Sequence, residues 1–140
     1  RQKEMGFVEA TKNYFIKWKD FDTRVSRSEY WWGTLGVLII SLLLGFAIGV
    51  MAGFGGAALG YSWGAIESFT NIVLLPWYVF STIAGISLSA RRLHDVNKSG
   101  WWILIFFTII GMLFLIYLYC KKGDAGYNRF GKNTLNLHAA

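Results

Sequence analysis

Three long apolar runs divide the chain. Lys, Arg, Asp and Glu are absent from Tyr30 to Ile66, from Ser68 to Ala90 and from Ser99 to Cys120. Each gap holds at least the roughly 20 apolar residues that cross a bilayer as a helix. The pattern predicts an all-α, polytopic membrane protein with three transmembrane helices preceded by an interfacial amphipathic helix. The elements read as an amphipathic helix over 4–23, spans over 27–53, 67–90 and 101–120, and a polar tail over 121–140. All of them belong to a single membrane domain, 1–140.

Local signals sharpen these boundaries. Phe7, Tyr14, Trp18 and Phe21 recur at helical spacing, with Glu9, Lys12, Asn13 and Lys17 mostly on the other side. Such a helix lays its aromatic stripe among acyl chains, or packs it on the rest of the protein; both readings stay open. Ser26 and Glu29 have the spacing of a capping box, flanked by Val25 and Tyr30 as a hydrophobic staple, which starts the first span. Small residues then fall four apart at Ser41, Gly45, Gly49 and Gly53. Ser81, Gly85 and Ser89 repeat the spacing in the second span. Stripes of this kind let helix backbones approach closely in lipid, so the two are expected to face each other. The Gly-rich stretch Gly53–Gly64 carries no basic residue and is assigned to the outer face. Gly56, Gly60 and Gly64 step by four, which also allows a helical extension there.

Charge sets the orientation. Of the 140 residues 16% are charged and the net charge is +6, against roughly 25% charged in an ordinary soluble domain. All 14 Lys and Arg lie outside the apolar runs: seven in 1–30, three in 91–98 and four in 121–132. Juxtamembrane clusters of this kind serve topology and anionic headgroups, and no nucleic-acid partner is expected. The N-terminus and residues 91–100 are assigned to the cytoplasmic side. Three complete crossings then place Lys121, Lys122, Arg129 and Lys132 outside, against the positive-inside rule. The alternative is a third run that bends back at Gly111, each half of about ten residues being too short to cross. Three full spans are the preferred reading. No removable signal peptide is expected, and Cys120 alone forms no internal disulfide.

Reactive chemistry is sparse. His94 and His138 do not make a metal-ligand pattern, and phosphate loops and nucleophile elbows are absent. No catalytic residue, metal or cofactor is expected. The polar groups that stand out are Arg91-Arg92-Leu93-His94-Asp95, where the second span leaves the membrane. Adjacent guanidiniums hold phosphate oxygens through bidentate, charge-assisted hydrogen bonds. Arg91 and Asp95 are one helical turn apart and suited to pair, and Asp95 beside His94 would set the imidazole tautomer. Arg24 and Arg27 precede the first span on the same side, so the four arginines are expected to form an anion site at headgroup depth. Trp31, Trp32, Trp101 and Trp102 would serve as its interfacial anchors. The simpler reading is that these cations cap helix ends and fix topology.

The residues in order are Arg24-x-x-Arg27-x-Glu29-Tyr30-Trp31, then Arg91-Arg92-Leu93-His94-Asp95, then Ser99-Gly100-Trp101-Trp102. Gly123-x-x-Gly126-x-Asn128-Arg129-Phe130-Gly131 follows. Over roughly residues 10–133 this resembles the bacterial inner-membrane domain-of-unknown-function family 805. Thr23 stands where the family motif has Gly, and Lys132-Asn133 where it closes with Asp-Pro. The resemblance implies bacterial inner-membrane residence, multi-pass with a cytoplasmic N-terminus. It adds Asn128 and Arg129 to the candidate site and supplies no activity.

Three functions compete. The first is a non-enzymatic module that binds anionic lipid headgroups, or a membrane partner, through Arg24, Arg27, Arg91, Arg92, His94, Asp95, Asn128 and Arg129. The second is a small transporter or channel, formed as a homo-oligomer through Gly45, Gly49 and Gly53. The third is a membrane enzyme acting on a headgroup with His94 and Asp95. The first is preferred, since no partner nucleophile is in view and no span carries a buried ionisable group.

Overall fold

The structure, a computed structural model, describes residues 4–133. Helix α1 (Phe7–Ile16) leads into two long helices, α2 (Arg27–Ala58) and α3 (Trp63–Asp95). A 3-10 segment over Gly100–Phe107 and a short helix, α4 (Ile109–Cys120), complete the fold.

Helix α2 starts where the sequence marks it. The Ser26 hydroxyl accepts the Glu29 N–H at 3.2 Å, satisfying one of the free donors of the first turn. The reciprocal half of the box does not form, because the Glu29 carboxylate is drawn to side chains of α1 and α3. The helix continues past Gly53 to Ala58, realising the extension that the four-residue glycine spacing allows. The turn to α3 follows at Gly60, whose φ of +80° is the left-handed conformation that glycine adopts without steric cost. Ser62 then caps α3 by accepting the Ala65 N–H at 3.3 Å. Both helices are long and apolar enough to cross a bilayer. Only 11% and 22% of their most apolar stretches are buried, the reverse of a soluble core helix, so their apolar side chains require another solvent.

Helix α1 is shorter than the expected 4–23 and docks on the long pair. A Cβ at Gly36 would stand 2.0 Å from the Thr11 hydroxyl, so α1 crosses α2 at a point where only glycine leaves room. The Tyr14 hydroxyl donates to the Ser81 carbonyl at 2.7 Å, and the Phe15 ring packs against Trp77 and Phe80 of α3. The described packing is therefore the second of the two readings for this segment.

The contact expected between the two small-residue stripes does not form within the chain. No other described residue lies within 4 Å of where a Cβ would stand at Gly45, Gly49 or Gly53. A Cβ at Gly85 would instead stand 3.4 Å from the Tyr14 hydroxyl, because α1 covers that face of α3. The long helices meet elsewhere: Trp77 Nε1 donates to the Ser41 hydroxyl at 3.0 Å, and Gly56 lies against Ile66.

The single third helix expected over 101–120 is replaced by two pieces that fold back on each other. The break falls at Thr108, three residues before the alternative bend at Gly111. Thr108 satisfies the backbone there by itself. Its N–H and hydroxyl donate to the Ile105 carbonyl at 3.0 and 2.9 Å, and its hydroxyl accepts the Gly111 N–H at 3.0 Å. The turn thus leaves few of its own backbone groups unpaired. Gly111 is needed for the close return, since a Cβ there would stand 1.9 Å from the Ile105 carbonyl oxygen. Twelve residues of α-helix rise about 18 Å, well short of the roughly 30 Å hydrocarbon thickness.

Candidate functional site

The polar residues singled out in the sequence converge at one end of the α2–α3 pair, and most are buried. Asp95, the last residue of α3, is its hub. Its Oδ1 accepts Arg24 Nε at 3.1 Å, and its Oδ2 accepts an N–H of Arg92 one turn earlier. Exposure is 4% for Asp95, 3% for Arg24 and 0% for Arg92. One carboxylate thus lies between two guanidiniums in a site that water scarcely reaches.

The remaining donors of these arginines go to backbone carbonyls from distant segments. Arg24 donates to Gly126 and Gly131 at 2.8 and 3.0 Å and to Asp124 at 2.6 Å. The tail can present these carbonyls because it turns tightly between Asn128 and Gly131, whose backbones exchange hydrogen bonds at 3.1 and 3.0 Å. Gly131 has φ +114°, which disfavours any side chain there. Arg92 donates to the Tyr119 carbonyl at 3.0 Å, to Val25 at 3.3 Å and to Lys121. Tyr119 and Lys121 lie at the C-terminal end of α4, where unpaired carbonyls and the helix dipole attract a cation. Arg92 therefore draws the end of the third apolar run back to the end of α3. The Asp124 N–H reinforces this by donating to the Asp95 carbonyl at 2.9 Å. Gly123 packs so closely on the Asp95 carboxylate that a Cβ would stand 1.9 Å away.

Arg91 does not pair with Asp95 as the one-turn spacing suggests. Neighbouring helical residues point about 100° apart, so the face that presents Arg92 to Asp95 turns Arg91 toward α2. There its guanidinium is 4.0 Å from Glu29 Oε1, and none of its nitrogens has a hydrogen-bond partner among the described residues. Glu29 is shared with Asn13 of α1, which donates at 3.2 Å. Asp20, in the loop after α1, contributes charge to the same region. Its partial burial raises the carboxyl pKa, but hydrogen bonds from Thr23 and Asp22 and the Arg91 charge together lower it below the ordinary value.

His94 is held away from the Asp95 carboxylate. Its Nδ1 is 3.1 Å from the Thr23 carbonyl, an acceptor only, so the geometry assigns the proton to Nδ1. Its ring stacks on Phe130 at 3.8 Å, and Asn128 donates to its carbonyl at 2.9 Å. The expected Asp95–His94 tautomer pair is thus replaced by a carbonyl and an aromatic face. Arg27 and Arg129 are exposed; Arg129 donates to the Asn97 carbonyl at 3.2 Å and lies over the Phe130 ring. Lys98 likewise covers Trp102. Among the described residues no three His, Cys, Asp or Glu side chains gather to hold a metal ion.

Sequence reading brought out the hub and its arginines. It missed Asn13, Gly36, Gly123 and the carbonyls of Tyr119 and Lys121. Only Gly123 carried a sequence signal, as part of the tail motif.

Comparison with known proteins places the chain in a family. A family model described as "Protein of unknown function (DUF805)" matches residues 18–132. Inner membrane protein YhaH of Escherichia coli is 31% identical over 127 residues, 89% of this chain and 92% of that protein. Inner membrane protein YhaI of the same organism is 33% identical over 129 residues, 91% and 92% of the two chains. No solved structure matches the chain significantly.

Proposed function

We propose that this chain, which belongs to the DUF805 family, is a non-enzymatic inner-membrane module whose cytoplasmic end presents cations to anionic lipid headgroups. α2 and α3 cross the bilayer, and the third apolar run enters from the cytoplasmic side and returns. The N-terminus and the tail then share one face, and every basic cluster obeys the positive-inside rule. The inner-membrane names of YhaH and YhaI support the residence, and the fold-back at Thr108 supports the topology.

One observation carries the binding reading. The nitrogens of Arg24 and Arg92 are all engaged by internal acceptors, while Arg27, Lys121, Lys122, Arg129 and Lys132 around them are exposed. The buried arginines with Asp95, His94 and Asn128 therefore build the platform, and the outer cations meet phosphate. Each cation near an anionic surface contributes about 1 kcal/mol. Replacing Arg27, Lys122, Arg129 and Lys132 together by Gln should lower copurifying phosphatidylglycerol and cardiolipin at least about tenfold while insertion is kept. Unchanged anionic lipid in that variant would overturn the reading.

A second reading rests on the uncovered glycines of α2. With no described residue beyond the helix's own backbone within 4 Å of where a Cβ would stand at Gly45, Gly49 or Gly53, that face is open to a second copy, as a small channel or transporter would need. Gly49→Leu should then dissolve a defined oligomer, and a monomer in mild detergent rules it out.

A further inference from the structure

One face of α3 carries Ile86, Ala90 and His94 at successive four-residue steps, about 12 Å along the axis. A groove of about 630 Å3 runs beside them, closed by Gly100, Trp101 and Ile103 on one side and by Asp22, Arg129 and Phe130 on the other. Its depth depends on small residues, since a Cβ at Gly100 would stand 3.1 Å from that of Ala90. Ile86, Ile103 and Trp101 make one end apolar. Charge is concentrated at the other, where Asp22 and Arg129 supply one sign each.

His94 looks into this groove with an unused atom. The Thr23 carbonyl holds Nδ1 and stacking on Phe130 fixes the ring plane. Nε2 makes no hydrogen bond to any described residue, yet it is not among the sealed, partnerless atoms. With the proton on Nδ1, the exposed nitrogen is an acceptor waiting for an N–H or O–H donor.

We propose that this groove binds a single zwitterionic phospholipid whose headgroup carries a primary ammonium, as phosphatidylethanolamine does. An acyl chain lies along Ile86 and Ile103, and the phosphate meets Arg129. The ammonium donates to Asp22 and to His94 Nε2. Both charges of the headgroup are met, which a groove lined by cations alone would not do. A trimethylated headgroup of equal charge has no N–H to donate and binds more weakly. Arg129 is shared with the outer cations that meet anionic lipid, whereas Asp22 and His94 Nε2 set this site apart, and the test separates the two through Asp22.

The full chain is placed in nanodiscs with equal phosphatidylethanolamine, phosphatidylcholine and phosphatidylglycerol of the same acyl chains, and the lipid kept after detergent extraction is read by native mass spectrometry. Ethanolamine lipid should be retained over choline lipid by about tenfold, the ratio one charge-assisted hydrogen bond supplies. Asp22→Asn, on an exposed loop side chain, should bring that ratio toward one without reducing phosphatidylglycerol. Equal retention of the two zwitterionic lipids, or of neither, overturns the proposal. So does an undiminished ratio in Asp22→Asn. Retention of phosphatidylglycerol alone also overturns it, and leaves the anionic-headgroup reading standing.

Discussion

Arg24 and Asp95 are 71 residues apart in the chain and 3.0 Å apart in the fold. The pair joins the entry to α2 with the exit from α3, and Arg92 on the same carboxylate adds the end of α4. Burial makes this junction brittle. A charge taken out of water is tolerable only while its counter-charge and hydrogen bonds are complete.

Asp95→Asn should therefore be among the most damaging single changes in the chain. It leaves Arg24 and Arg92 buried without their shared anion, a loss of about 3–5 kcal/mol for a broken buried pair. Unfolding by SDS titration in detergent micelles measures it. A loss of under about 1 kcal/mol, the size of an exposed ion pair, would mean that the junction is open to water.

Gly111→Ala and Gly49→Ala should act with opposite sign. At Gly111 the added methyl collides with the Ile105 carbonyl, and the bend must open at a cost of about 1–3 kcal/mol. At Gly49 it meets nothing, and alanine is the better helix former by up to about 1 kcal/mol. Trypsin cleavage after Lys121 and Lys122 should speed up in the first variant only.

Membrane sidedness is testable by cysteine labelling on a Cys120→Ser background. Lys19→Cys and Lys132→Cys, both exposed, should react with an impermeant maleimide from the cytoplasmic face, in inverted vesicles. Leu59→Cys, in the turn between α2 and α3, should react only in intact cells. Reaction of Lys132→Cys together with Leu59→Cys from outside would establish a third full crossing and refute the fold-back.

The docking of α1 should weaken at alkaline pH. Burial pushes the Tyr14 hydroxyl pKa from the usual 10.0 up to about 12, and the neutral form donates to the Ser81 carbonyl. A group with a raised pKa contributes stability that is complete below its unfolded value and fades as pH rises through the folded one. Resistance to SDS should thus decline between about pH 10 and 12. Tyr14→Phe should flatten that decline and lower stability near neutrality by about 1 kcal/mol. A decline of the same depth in Tyr14→Phe would assign it to another group.

Helix starts and apolar lengths were legible because they are local properties. Ser26 lies three residues from the N–H it caps, and the first two apolar gaps mark the two long helices directly. The direction of each charged side chain was not. Arg91 and Arg92 are neighbours in sequence, yet about 100° of helical rotation sends one toward Glu29 and the other to Asp95. The glycine stripes misled for a related reason: spacing reports that a close approach is permitted and does not name what approaches. Tyr14 took Gly85, while α1 found Gly36 through Thr11.

Composition and spacing alone fixed the solvent: long uncharged helices that need lipid, with cations confined to their ends. Those follow from composition and spacing along a single element. The tertiary structure decided which cations are buried and that the third apolar run breaks at Thr108. Both depend on contacts such as Arg92 with Tyr119 and Arg24 with Gly126, made by segments far apart in the chain. Burial makes such cations part of the framework that joins α2, α3 and the tail.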